Sequence, residues 1–104
     1  MAPDALTLMK SRYCAYATGK VHYIIKTTHP DNSDYTEDTK RWKEDIALFC
    51  KNTDFLKLTV LQFIDGKEEA YVTFSAILSS GELKEKSRFL KKDGKWLYVD
   101  GEFN

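Results

Sequence analysis

Hydrophobic residues recur along this chain with two different periods, and the period changes near Asn52. Before that point apolar positions return every three to four residues, which predicts amphipathic helices. After it they alternate with polar positions, which predicts half-buried strands. Helices that all precede the strands, instead of alternating with them, indicate an α+β fold. We therefore predict one domain over residues 1–104, with three N-terminal helices packed on a four-stranded antiparallel sheet.

The first helix is predicted to begin after Pro3 and Asp4 and to end at Gly19. A carboxylate at the start of a helix accepts hydrogen bonds from free backbone amides, and glycine adopts the left-handed conformation that closes a helix. Arg12 lies at the border of the predicted inward face. The residues expected on that face are Leu6, Met9, Tyr13, Tyr16 and Ala17.

A short second helix within KVHYIIKTTHP is predicted to end before Pro30, because a residue that precedes proline is disfavoured in the helical region. The third helix is predicted over RWKEDIALFC, after an acidic loop at 31–38 that we expect to be solvated. This loop lacks the glycine and the terminal glutamate of a calcium-binding loop. The residues expected to face inward in these two helices are Val21, Ile24, Ile25, Thr28, Trp42, Ile46, Phe49 and Cys50.

Four strands are predicted in the second half, namely FLKLTVLQFI, EAYVTFSAIL, ELKEKSRFLK and KWLYVDGEF. The turn signals DGK, SSG and KDGK separate them, which favours consecutive hairpins. Because successive side chains of a strand point to opposite faces, Lys84, Lys86 and Arg88 share one face, which we expect to be solvated. The residues predicted on the opposite, concave face of the sheet are Leu58, Val60, Gln62, Val72, Phe74, Ala76, Leu83, Glu85, Ser87, Phe89, Trp96 and Tyr98.

Charge and composition argue against several classes of function. The charges of the 16 basic and 16 acidic residues cancel. The chain therefore lacks the basic excess of a protein that binds the phosphate backbone of nucleic acid, and we predict no nucleic-acid partner. No apolar run approaches the ~20 residues of a membrane-spanning helix, and no secretion signal is recognisable, so we predict a cytoplasmic protein without a membrane partner. Cys14 and Cys50 fit no zinc motif. We expect two buried, reduced thiols and no bound metal or cofactor.

Three segments of the chain resemble one protein family. LMKSRYCAYATGKVHYIIKTTHP is similar to the start of the middle domain of bacterial YchJ-like proteins, and EKSRF and GKWLYVDG are similar to its last two strands. The resemblance covers essentially the whole chain. It implies a nuclear-transport-factor-2-like (NTF2-like) fold, a cone in which a curved sheet wraps round helices and encloses a cavity. The zinc-binding SEC-C motifs that often accompany this domain are absent here, so no metal role is carried over.

The motif positions of the family match residues of this sequence on the first helix, at the end of the second helix and on the last two strands. Lys84 stands where the family pattern has histidine, so we predict no site that needs an imidazole there. Glu85 is predicted on the core side, where a carboxylate must be paired or hydrogen-bonded. The marked residues are Arg12, Tyr13, Thr28, His29, Pro30, Glu85, Ser87, Phe89, Trp96, Tyr98, Asp100 and Gly101.

Three interpretations of these residues are open at this point. In the first, Arg12 and Glu85 form a buried ion pair, and the His29 ring caps the second helix. In the second, the cavity is a non-catalytic site for an unidentified small polar or anionic ligand or a protein partner, in a domain that could dimerise through the outer face of its sheet. In the third, Glu85 is the general base of a small enzyme, assisted by Tyr13 and His29. The candidate cavity residues are Arg12, Tyr13, His29, Trp42, Glu85, Ser87, Phe89, Trp96 and Tyr98.

Overall fold

The structure is a computed structural model that describes residues 2–103, and it confirms the predicted order of helices and strands. The strands form one antiparallel sheet in the order β1-β2-β3-β4, so each strand pairs with the next one in sequence. The elements are α1 (Ala5–Thr18), α2 (Val21–Lys26), α3 (Thr39–Lys51), β1 (Phe55–Ile64), β2 (Glu69–Leu78), β3 (Gly81–Lys92) and β4 (Lys95–Phe103).

Both predicted ends of α1 are confirmed. The amide of Thr7 donates a hydrogen bond of 2.8 Å to Oδ1 of Asp4. This bond favours the ionised carboxylate and lowers the pKa of Asp4. Gly19 closes the helix with a φ of 72°, a backbone conformation that is strained for a residue with a Cβ atom.

The buried face of α1 differs from the predicted one. Arg12, placed at the border of that face by the sequence, is only 7% exposed, whereas Ala17, predicted to face inward, is exposed. The reason is that α1 contacts α2 and α3 as well as the sheet, so that Arg12 is covered from more than one side. The buried residues of α1 are Ala5, Leu8, Met9, Arg12 and Ala15.

The predicted faces of β2 and β3 are confirmed, because alternate residues from Ala70 to Leu78 and from Glu85 to Phe89 are buried. The prediction that Gln62 faces the core is wrong. A register shift between Val60 and Gln62 adds one residue to β1 relative to β2. This bulge reverses the alternation, so Gln62 is exposed and Phe63 packs against the core instead.

Two apolar clusters form the core. One joins α1 to the concave face of the sheet and includes Phe89 and Trp96. The other lies between the helices and consists of Ala15, Ile24, Trp42 and Ile46.

Besides Ala17, two helical residues that were predicted to be buried are exposed: Phe49 is 45% exposed and Cys14 is also exposed. Cys50, the second predicted buried thiol, is half-buried. Among residues 2–103, no helix is long and apolar enough to cross a membrane.

Candidate functional site

A cavity of about 560 Å³ lies between the concave face of the sheet and helices α1 and α3. Its walls combine aromatic and aliphatic side chains with a few polar ones, as ligand pockets in proteins usually do. The apolar and aromatic residues that line it are Met9, Tyr13, Tyr16, Trp42, Ile46, Phe49, Phe55, Phe74, Ala76, Leu78, Leu83, Phe89, Tyr98 and Phe103.

Glu85 is a buried carboxylate in the cavity wall, 6% exposed. Its Oε2 accepts hydrogen bonds from the hydroxyls of Ser87 at 2.6 Å and Tyr98 at 2.9 Å. Oε1 accepts none from the described residues. No fully buried side-chain oxygen or nitrogen of residues 2–103 lacks a partner, so Oε1, which has none, is not fully buried. One oxygen of this carboxylate is therefore held in place, and the other is open.

Gly101 provides the space that Glu85 occupies. Gly101 lies on β4 opposite Ser87, and a Cβ atom at this position would overlap the carboxylate of Glu85. The absence of a side chain thus lets Glu85 lie against the backbone of the neighbouring strand. This contact gives a physical reason for the glycine in the motif YVDG.

Arg12 joins α1 to the end of α2. Its Nη1 donates to the carbonyl of Ile24 at 3.0 Å, to Oγ1 of Thr27 at 2.7 Å and to Oγ1 of Thr28 at 3.3 Å. Burial lowers the pKa of this guanidinium, and the nearby charge of Glu85 opposes that effect. All three acceptors are neutral, so they satisfy the donor without neutralising its charge.

The predicted ion pair between Arg12 and Glu85 is wrong. These two described residues form no salt bridge, because the Tyr98 side chain contacts both of them. The guanidinium carbon of Arg12 lies 4.8 Å from the centre of the Tyr98 ring, and the hydroxyl of the same ring donates to Glu85. Burial, followed by the charge of Glu85, raises the pKa of Tyr98 far above its usual range. Tyr98 is therefore a neutral donor at any physiological pH.

His29 does not cap α2, contrary to the prediction. Its ring Nδ1 accepts a hydrogen bond of 3.0 Å from the amide of Asp31, two residues further along the chain. Its own amide donates to the carbonyl of Tyr98 at 2.8 Å, which ties the turn after α2 to β4. The prediction fails because the turn formed by Pro30 directs the imidazole toward the following residues.

The structure brings most of the predicted site residues to one cavity. His29 and Trp96 are not among the residues that line it, and Trp96 packs in the core between α1 and the sheet instead. Trp42 of α3 is both core and cavity wall. The predicted residues that do line the cavity are Arg12, Tyr13, Trp42, Glu85, Ser87, Phe89 and Tyr98.

The cavity also has a charged rim that was not predicted from the sequence. Asp34 and Asp38 come from the acidic loop, and Arg41 and Asp45 come from α3. The loop was predicted to be solvated, and its side chains other than Asn32 are exposed, but the course of the chain places two of them beside the cavity. The spacing of Asp38, Arg41 and Asp45 at three and four residues, which puts them on one helical face, is the signal that could have identified this rim.

Three aromatic residues missed as site candidates form one further wall. The ring centres of Tyr16 and Phe49 are 5.8 Å apart, and both rings contact Phe55 at 6.2 and 6.0 Å. Burial raises the pKa of Tyr16. Phe49 was predicted as a core residue, and its place at the opening of the cavity explains its exposure.

The arrangement combines apolar walls, one buried carboxylate with an open oxygen and a rim with an excess of carboxylates. Such a site can bind a small molecule through apolar contacts and fix its orientation by hydrogen bonds. Within residues 2–103, no three His, Cys, Asp or Glu side chains are grouped so that they could hold a metal ion.

Comparison with known proteins is consistent with this architecture. The model of the YchJ middle, NTF2-like domain family matches residues 4–101. A UPF0225 protein of Pectobacterium carotovorum is 37% identical over 96% of this chain and 67% of its own length. A SEC-C motif containing protein of Rhodopseudomonas palustris has a solution structure that matches 95% of this chain and 77% of its own, with 31% identity and a TM-score of 0.79. A crystal structure of such a protein from Psychrobacter arcticus matches 95% of this chain and 60% of its own, with 30% identity and a TM-score of 0.76.

Proposed function

The chain belongs to the YchJ middle-domain family of NTF2-like proteins, and from this we propose that it is a non-catalytic module that binds a small molecule in its cone. The observation that carries the proposal is the cavity of about 560 Å³ beside the open Oε1 of Glu85. A volume of this size is within the usual range for small-molecule sites, roughly 300 to 1,000 Å³.

The way Glu85 is held supports binding. Ser87 and Tyr98 fix one carboxylate oxygen, and Gly101 leaves room for it, so that the second oxygen has a defined position. A polar group that is already oriented binds a ligand with a smaller loss of conformational freedom. Two hydroxyl donors satisfy only part of the capacity of a carboxylate to accept hydrogen bonds. A ligand donor can supply what is missing.

The two tryptophans make the proposal testable, because Trp42 lines the cavity and Trp96 does not. The Trp96→Phe variant leaves Trp42 as the sole tryptophan, and the Trp42→Phe variant leaves Trp96. We expect 4-phenylbutanol, a small neutral probe with one aromatic ring, to change the emission of Trp42 saturably and to leave that of Trp96 unchanged. Titrations without a saturable change at Trp42, or with equal changes at both positions, would contradict the proposal.

General base catalysis by Glu85 is the second candidate, and the access of solvent to Oε1 is the observation that favours it. Binding and catalysis differ in the fate of the bound molecule. If the domain only binds, a ligand that co-purifies with it is recovered chemically unchanged after prolonged incubation with fresh protein. Conversion that is lost in the Glu85→Gln variant would establish an enzyme.

A further inference from the structure

We propose that the cavity binds an organic ammonium ion, with its apolar group among the aromatic walls and an N–H donating to Oε1 of Glu85. This inference rests on the proposed function, since it names the class of ligand that the same cavity takes. It narrows the expectation of a small polar or anionic ligand to a polar cation and rejects the anion.

The charges around the cavity favour a cation. Among residues 2–103, four carboxylates and two guanidinium groups line it, although the whole chain has no net charge. Three of those carboxylates, Asp34, Asp38 and Asp45, are at the rim, and among the described residues that line the cavity Arg41 is the one cationic side chain at that rim. A concave surface lined mostly by one sign of charge concentrates ions of the opposite sign. The rim therefore attracts cations and repels anions.

Glu85 offers the buried partner that an ammonium needs. Its two protein donors are hydroxyls, which stabilise a carboxylate without cancelling its charge. No basic residue among those described forms a salt bridge with it. An ammonium N–H at Oε1 would complete the hydrogen bonding of this buried anion, and bonds between charged partners are the stronger ones.

Arg12 is the group that would favour an anion instead. Its Nη1 donates to three acceptors, and its central carbon lies 4.8 Å from the centre of the Tyr98 ring. An anion that approached the remaining N–H groups would also meet the negative charge of Glu85, which acts on Arg12 from the same cavity. The balance of charges thus disfavours an anionic ligand even though a guanidinium is present.

The walls suit the rest of such a ligand. Trp42, Phe74 and Phe89 provide apolar contact area, and the faces of aromatic rings attract cations. A molecule with an ammonium group and one aromatic ring would therefore find a partner for each of its parts. This combination defines the class of probe to be used.

Three probes of nearly the same shape test the inference: 4-phenylbutylamine, 4-phenylbutanol and 4-phenylbutyrate. They carry a positive, a neutral and a negative head group at neutral pH. Dissociation constants would be measured by calorimetry on the whole domain at low and at high ionic strength. We expect the dissociation constant of the amine to be lower than that of the butyrate by about tenfold or more, and this ratio to shrink at high salt.

Two variants identify the groups responsible. Glu85→Gln should weaken binding of the amine by about tenfold and change that of the alcohol by less than about threefold, because only the amine uses the charge. Asp38→Asn combined with Asp45→Asn alters only exposed rim residues. This second variant should reduce the salt dependence of amine binding even if Glu85→Gln does not fold.

The outcomes separate the two proposals. Saturable binding of the alcohol or the butyrate, with an amine that binds no more tightly than they do, would overturn the ammonium inference and leave the cavity as a ligand site. Failure of all three probes to bind would overturn both proposals. Preference for the amine that is lost on substitution of Glu85 or of the rim would establish the class of ligand.

Discussion

The hydroxyl of Tyr98 donates a hydrogen bond of 2.9 Å to Oε2 of Glu85. Tyr98 therefore lies between Glu85 and Arg12, the two residues that were expected to form an ion pair. The same ring lies beneath the guanidinium of Arg12, 4.8 Å from its central carbon. Arg12 is thereby left to hold the end of α2, and Glu85 keeps one oxygen open. An ion pair in this place would have occupied both groups.

Substitution of Tyr98 by phenylalanine should destabilise the domain by about 1 to 3 kcal/mol, because a buried carboxylate loses one of its two donors while the ring that contacts Arg12 is retained. Urea unfolding gives the free energy. Tyr13→Phe is the matched control, since Tyr13 lines the same cavity and its hydroxyl makes no hydrogen bond with the described residues. Equal effects of the two substitutions would show that the bond to Glu85 is unimportant.

Gly101→Ala should destabilise the domain by about 1 to 3 kcal/mol, because the added methyl group displaces Glu85 and breaks its bonds to Ser87 and Tyr98. The control is the same change in a Glu85→Ala background, where the space is empty and the cost should largely disappear. Such non-additivity is expected of residues in contact. A cost that is the same in both backgrounds would mean that the glycine serves the backbone of β4 alone.

Arg12→Lys should destabilise the domain by about 1 to 3 kcal/mol although it keeps the charge. The compact ammonium of lysine cannot keep the contact with the Tyr98 ring while it also donates to Ile24 and Thr27. Arg41→Lys is the control, since Arg41 is exposed at the rim. Surface substitutions of this kind usually change the free energy of unfolding by no more than about 0.5 kcal/mol. If both variants unfold at the same denaturant concentration, the geometry of the Arg12 side chain has no role.

Asp4→Ala should destabilise the domain by about 1 kcal/mol through the loss of the α1 cap, whereas Asp4→Ser, which keeps an oxygen acceptor, should cost less. The pKa of Asp4 is lowered in the folded protein from an ordinary value of 3.8. The stabilisation of the folded protein by ionised Asp4 is therefore complete above about pH 4 and declines as the pH falls through the folded-state pKa.

Thermal unfolding of the wild type and Asp4→Ala at several pH values would show this as a difference in melting temperature that is constant near neutrality and shrinks in acid. Other carboxylates affect both proteins alike, so the difference isolates Asp4. If the difference in melting temperature grew as the pH fell, the ionised carboxylate of Asp4 would not be the source of the stabilisation.

Local features of the chain were predictable because they depend on neighbours in sequence. The cap at Asp4, the left-handed turn at Gly19 and the alternation along β2 and β3 are each confirmed. The family motif added the fold as a whole. Strand alternation also identified Glu85, Ser87, Phe89 and Tyr98 as residues of the concave face that lines the cavity.

The partners of the buried charged groups could not be predicted, because they depend on how elements far apart in sequence pack together. Alternation places Glu85 on the inner face of β3, but only the sheet places Tyr98 and Gly101 against it. The bulge in β1 that exposes Gln62 has no local signal in the sequence either.

Short-range periodicity and one motif were enough to assign the elements, their order, the inner face of the central strands and the family. Long-range packing is what joins Arg12 to α2 and turns Glu85 toward an open cavity. It also decided that the acidic loop supplies part of the rim. Both features depend on residues far apart in sequence, because a buried charge must be paired or hydrogen-bonded and packing determines which groups lie near it.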